Sequence, residues 1–134
     1  IERPITIEGP VTGRAVIDGG GKGTVVAVGS PDVTLRRLAI RGSGSDLTHE
    51  DSGVHVTAPS FTIEHCRLTD VLFGIHIRGA ADSVIRGNEV ESKSVTFTLR
   101  GDGIHVYQAD RTRVEDNRLS DGRDMIAFFS SERR

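Results

Sequence analysis

Apolar residues along this chain recur in short alternating triplets. Val26-Ala27-Val28, Val54-His55-Val56, Ile75-His76-Ile77, Ile104-His105-Val106 and Ile126-Ala127-Phe128 each place an apolar residue on either side of a different one. That period of two predicts strands with one buried face. The first residues of these triplets lie 28, 21, 29 and 22 positions apart. Three of them sit in a Gly-x-His-x string, at Gly53, Gly74 and Gly103. A second strand is predicted to end at Leu35, Ile63, Ile85 and Val114, and a third is centred on Ile40, Leu68, Val90 and Leu119. Residues 1–23 read as an incomplete opening turn of the same pattern. Ile5-Thr6-Ile7 alternates, Gly9-Pro10 interrupts it, and Ala15-Val16-Ile17 resumes.

Three short strands per repeat, with no helical periodicity, predict an all-β fold: a right-handed, single-stranded parallel β-helix of about five coils. Coils stacked at ~4.8 Å make a rod on the order of 25 Å long. A leucine-rich repeat has a similar period but needs a helix or its own leucine signature, and neither is present. The expectation is a single β-helix domain over residues 1–134. Neither end carries a polar capping segment, so it is expected to be a fragment truncated at both ends, or a protein that self-associates end to end.

Composition agrees with this reading and narrows the chemistry. Hydrophobic residues make up 36% of the chain with only five Phe and one Tyr, so the core must come from Val, Ile and Leu. The sixteen glycines and four prolines suit turns. A net charge of −2 with the signs interspersed argues against nucleic acid as a partner. No apolar run approaches the ~20 residues that span a bilayer, so direct membrane insertion is not expected. Cys66 is the one cysteine, which excludes an internal disulfide.

The extra length of the long repeats falls at one place, between the third strand and the next first strand. The two loops are GSGSDLTHEDS at 42–52 and SKSVTFTLRG at 92–101. Stacking puts both on one side of the rod, flanking the first-strand face. On that face His55, His76 and His105 are expected to point outward in a vertical row, bounded by Ala27 and Ala127. Such a row, with His49, Glu50 and Asp51 of the first loop in reach of the same face, is a candidate copper or zinc site, since imidazole ligates both metals. Three neutral imidazoles also stack and hydrogen-bond without any metal, and the sequence leaves both readings open. Asp51, Arg78, Asp102 and Tyr107 would line a ligand groove on the same face. Asp51, Asp102 and Asp124 precede first strands and also read as turn formers. At the corner between second and third strands, Leu38, Cys66, Asn88 and Asn117 form one column. An asparagine ladder is expected there, its members in the left-handed conformation, with Cys66 as a small buried exception.

Several strings also resemble a known family. VIDGGGKGTVV (16–26), DVTLRRLAIRGSG (32–44), DVLFGI (70–75) and RGDGI (100–104) occur in this order. Together they resemble the NosD family, the periplasmic β-helix proteins of nitrous oxide reductase maturation, within the wider carbohydrate-binding and sugar-hydrolase (CASH), pectate-lyase-like β-helices. The resemblance implies an exported, non-enzymatic accessory factor. Such a factor works with an ABC transporter and a copper chaperone to supply copper to nitrous oxide reductase. It transfers no catalytic motif to particular residues.

The rival expectation is a carbohydrate-binding or polysaccharide-active β-helix, acting as lyase, hydrolase or epimerase on the same face. The Gly-His-Gly and paired-Asp signatures of pectin hydrolases are absent, as is the Asp-Pro-His-Glu string of alginate epimerases. Tyr107 is the best ring for sugar stacking.

Overall fold

Strands of three residues or so cannot stand alone, and this chain makes each one a member of a long parallel sheet. The computed structural model describes residues 1–123 and 125–129, the last two through their backbone alone; Asp124 lies outside the described residues. Sheet A stacks β1 (Thr6–Glu8), β4 (Thr34–Arg36), β7 (Thr62–Glu64), β10 (Val84–Arg86) and β13 (Arg113–Glu115). Sheet B stacks β2 (Ala15–Asp18), β5 (Leu38–Arg41), β8 (Arg67–Val71), β11 (Glu89–Ser92) and β14 (Arg118–Ser120). Sheet C stacks β3 (Val26–Val28), β6 (Ser52–Val56), β9 (Phe73–Arg78), β12 (Ile104–Tyr107) and β15 (Ile126–Phe129). The chain visits A, B and C in turn, and every pairing is parallel, which makes a right-handed parallel β-helix.

The register is the one the triplets dictate. In sheet C, Val26, Val54, Ile75, Ile104 and Ile126 lie side by side, as do Ala27, His55, His76, His105 and Ala127. A shift of one residue would turn every apolar side chain outward, so burial enforces this alignment. Leu35, Ile63 and Ile85 of sheet A, Ile40 and Leu68 of sheet B, and Val54, Ile75 and Ile104 of sheet C are all 0% exposed. Each such side chain contributes roughly 1.5–3 kcal/mol through burial.

The Gly-x-His-x string has a packing cause. A Cβ at Gly74 would collide with the Gly103 carbonyl oxygen of the next coil and with Val90 Cγ1. Gly53 and Gly103 are crowded in the same way, by Leu68 and Leu119 respectively. Glycine lets sheet C approach sheet B at this corner.

At the other corner the asparagine ladder is present. Asn117 Oδ1 accepts from the Asn88 backbone N–H at 2.9 Å and from Asn88 Nδ2 at 3.0 Å. Asn88 Oδ1 in turn accepts from the Cys66 N–H at 3.0 Å. One expectation is corrected here. The left-handed residue is the one before the ladder: Arg37, His65, Gly87 and Asp116 have φ of 56°, 56°, 67° and 58°. A single left-handed residue suffices to turn the chain, and the next side chain then points into the rod, where Asn88 is 1% exposed.

Both long loops leave the rod between sheets B and C. The first joins β5 to β6, and the second joins β11 to β12 and contains one 3-10 turn, Phe97–Leu99. Among the described residues no helix is long and apolar enough to cross a membrane.

Candidate functional site

Strand alternation sends His55, His76 and His105 out of the rod, and parallel stacking brings their rings together. The His55 and His76 ring centroids are 4.6 Å apart with planes at 16°, face to face. His76 and His105 are also 4.6 Å apart but at 76°, edge to face. An exposed row was expected, and the structure corrects this: His76 is 1% exposed, with His55 and His105 half-buried. The cover comes from neighbours. The Phe73 ring stacks on His76 at 5.5 Å and meets the edge of His105 at 5.7 Å. Glu50 reaches in from the first loop, its Oε1 lying 3.9 Å from His76 Nδ1 and 3.5 Å from Arg78 Nη1.

Burial decides the charge of this stack. The His76 pKa falls from 6.5 to about 3, first because burial disfavours the cation and then because His55 and His105 flank it. His55 is also held below its usual value, chiefly by burial. Neutral rings can lie face to face, whereas two imidazolium cations would repel. His105 is oriented differently, with its Nδ1 2.7 Å from Asp102 Oδ2. Two buried ring nitrogens, His55 Nε2 and His76 Nδ1, have no hydrogen-bond partner among the described residues.

A shared metal would need several ring lone pairs converging at about 2 Å. Each lone pair lies in its ring plane, so face-to-face rings direct theirs side by side. Among the described residues no group of three or more His, Cys, Asp or Glu is placed to hold a metal ion. The stack as it stands therefore does not fit a resident copper ion. His49 does not join it. The His49 ring turns to Asp46, Nδ1 to Oδ2 2.6 Å, and its pKa is raised by that carboxylate. Asp51 is not a groove residue either, because it is buried and its Oδ2 accepts the Asp46 N–H at 3.0 Å, closing the first loop on itself. Cys66 is fully buried and its thiol pKa is pushed up by that burial, which leaves it unreactive.

The remaining candidates do come together. Glu50, His76, Arg78, His105 and Tyr107 line a concavity of about 290 Å³. The Arg78 guanidinium lies over the Tyr107 ring, 5.2 Å from its centroid. A second concavity of about 340 Å³ shares His105 and is lined further by Leu47, Phe73, Arg100, Asp102 and Arg123. The two adjoin at His105 and make a trough on the outer face of sheet C, bordered by the first loop through Leu47 and Glu50, by the second through Arg100, and by Arg123 on the turn before β15. Sequence reasoning found Arg78, Asp102, Tyr107, His76 and His105 but missed Phe73, Leu47, Arg100 and Arg123. Phe73 carried no usable signal, because alternation from Ile75 assigns it to the inward side, whereas its ring packs on the outward-pointing His76 and His105. His55 opens instead onto a separate concavity beside Ala27 and Thr57.

The sequence compares with known proteins as this architecture leads one to expect. A family model described as a right-handed β-helix region matches residues 13–133. The probable ABC transporter binding protein NosD of Stutzerimonas stutzeri is 34% identical over 126 residues, covering 89% of this chain and 29% of that protein. The protein of the same description from Pseudomonas aeruginosa is 31% identical over 127 residues, covering 92% of this chain and 29% of that one. The chain thus spans 29% of the length of both curated relatives. With three five-stranded parallel sheets and that match along its length, the chain belongs to the right-handed β-helix family, as a NosD-like member.

Proposed function

We propose that this chain is part of a non-enzymatic accessory factor of the NosD type. It works in the periplasm beside an ABC transporter and a copper chaperone, in the maturation of the copper centres of nitrous oxide reductase. The observation that carries this reading is the similarity to two NosD proteins along about nine-tenths of the chain. In this reading the chain acts by protein contact. The trough between the two long loops is its working face, because rigid coils hold the loops that frame it. In this reading copper is cargo passed between partners, and the face-to-face packing of His55 and His76, which directs their lone pairs side by side, supports a stack without a resident ion.

The carbohydrate alternative draws less support from the site. Tyr107, the ring best placed for a sugar, already has Arg78 over it. Asp102 is engaged with His105.

The test is made in cells that reduce nitrous oxide. Removing the protein should leave the reductase present but poor in copper and low in activity. Restoring the protein should recover both. A reductase with full copper content in the deletion strain overturns the proposal.

A further inference from the structure

The second concavity has a particular chemical character. Its floor is apolar, made by Leu47 and Phe73, and its rim carries Arg100 and Arg123. Both guanidiniums lie against one aromatic ring, 6.0 Å and 5.6 Å from the Phe97 centroid. Neither arginine makes an ion pair with a carboxylate among the described residues, although most arginines on the rod do. Phe97 and Leu99, at the tip of the same loop, are 54% and 55% exposed. Two arginines beside exposed apolar side chains are the composition of a protein-binding hot spot. The arginine fork matches a carboxylate.

The adjoining concavity supplies a second and independent observation. His76 is 1% exposed, yet its Nδ1 has no hydrogen-bond partner among the described residues, and it faces the Glu50 carboxylate across 3.9 Å. That gap is too long for a direct bond and fits a polar group placed between the two. Glu50 accepts hydrogen bonds and Arg78 donates them, a pair that suits the N–H and C=O of a peptide backbone.

We infer that the trough is a docking site for an acidic, extended segment of a partner protein. Arg100 and Arg123 take its carboxylates, Leu47, Phe73 and Phe97 take its apolar side chains, and Glu50, Arg78 and His76 bind its backbone. The strand residues that line the trough lie on the adjacent coils β9 and β12, ~4.8 Å apart, and an extended chain rises ~3.3 Å per residue, so the trough takes a segment of only a few residues. The inference rests on the proposed function, because it assumes that this face works by protein contact.

Fluorescence anisotropy on the purified protein tests it, with labelled peptides of alternating Glu and Leu, the same peptide with Lys for Glu, and a trimer of galacturonic acid as competitor. The Glu-Leu peptide should bind saturably, at least about tenfold more tightly than the Lys-Leu peptide, and more weakly as salt rises. The double variant Arg100→Glu with Arg123→Glu should lose at least about tenfold in affinity. Because Arg100 Nε also donates to the Val95 carbonyl at 2.8 Å, the exposed single change Arg123→Glu is made beside it and should weaken binding while its melting temperature stays unchanged. His76→Phe, which keeps an aromatic ring in the stack, and Arg78→Ala should each weaken binding without reversing the preference for acid. Equal binding of the two peptides overturns the inference, as does acidic-peptide binding that ignores the double variant. Binding of the galacturonate trimer with none of the peptide also overturns it. A protein that restores the reductase in cells but fails these tests removes the docking inference alone.

Discussion

His76 lies flat against His55, ring centroids 4.6 Å apart and planes 16° from parallel, although both residues are titratable. Only uncharged rings pack this way under Phe73 and Glu50. The consequence is a stability that depends on pH. The His76 ring titrates near 6.5 when exposed and near 3 in the fold. Between those values the unfolded chain binds a proton that the folded chain refuses, so this contribution is complete above pH 6.5 and is lost as pH falls toward 3. His55, lowered by burial as well, adds in the same direction. Urea unfolding at pH 7 and pH 4.5 should show wild type losing on the order of 2 kcal/mol more than His76→Phe over that interval. Equal losses would mean that His76 takes up its proton inside the fold.

Gly74 predicts a different kind of sensitivity. Its backbone approaches the Gly103 carbonyl and the Val90 side chain so closely that no Cβ fits. Gly74→Ala must push coils apart in the middle of sheet C and is expected to destabilise by on the order of 3 kcal/mol or to prevent folding. Gly79 is the contrast. It has φ of 64° but open space around its Cβ position, so Gly79→Ala incurs only left-handed strain, about 1 kcal/mol. Thermal melting of the two variants ranks them, and a milder effect at Gly74 would show that the coils can part.

These two residues also mark how far the sequence could be read. The triplet period carried the strand order and the register, because a one-residue slip would expose Ile75 and Ile104. The column of Asn88 and Asn117 carried the ladder, since a repeated polar residue at an inward corner has few other uses. What covers His76 was legible only in part. The position of the first loop offers Glu50 to this face, and Glu50 does reach His76 and Arg78, but the ring of Phe73 covers the stack only through the fold. The same limit applies to His49 and Asp51, which lie near the stack in sequence but are bound to Asp46 within their own loop.

Sheet A carries a column whose signal was present and overlooked. Glu8, Arg36, Glu64, Arg86 and Glu115 align on successive coils and alternate in charge. Glu64 is the centre, with Arg36 Nε 2.7 Å and Arg86 Nη2 3.2 Å from its two oxygens, and its side chain is 14% exposed. Arg36 and, to a lesser degree, Arg86 hold its carboxyl below the usual range, so its contribution is lost as pH falls through that lowered value. Glu64→Gln should destabilise by about 2 kcal/mol in urea unfolding at pH 7, because two guanidiniums lose a charged acceptor. Asp82→Asn, which removes the partner of Arg111 on an exposed turn, should leave the midpoint unchanged. Equal effects at both sites would mean that burial adds nothing to the ladder.

The histidine stack finally makes a prediction about metals. For His76 Nδ1 to bind an ion at about 2 Å together with a second imidazole, the ring must leave its stacking on His55 and Phe73. His105 Nδ1 would have to release the Asp102 carboxylate, 2.7 Å away, or bind through its other nitrogen. His76 gives up ring packing before any metal bond forms, and His105 gives up its Asp102 contact unless it binds through Nε2, where that carboxylate would orient the ring. Calorimetric titration of the purified protein with Cu(II) and Zn(II) should therefore show no saturable site that depends on the stack. Weak binding at the exposed His49–Asp46 pair should vanish in His49→Ala. The deciding comparison is a triple alanine variant at His55, His76 and His105, with the single His55→Ala variant beside it in case the triple variant unfolds. A saturable site that these substitutions remove while the melting temperature holds would mean that the rings rotate to meet a metal, and the stack would then be a binding site closed at rest.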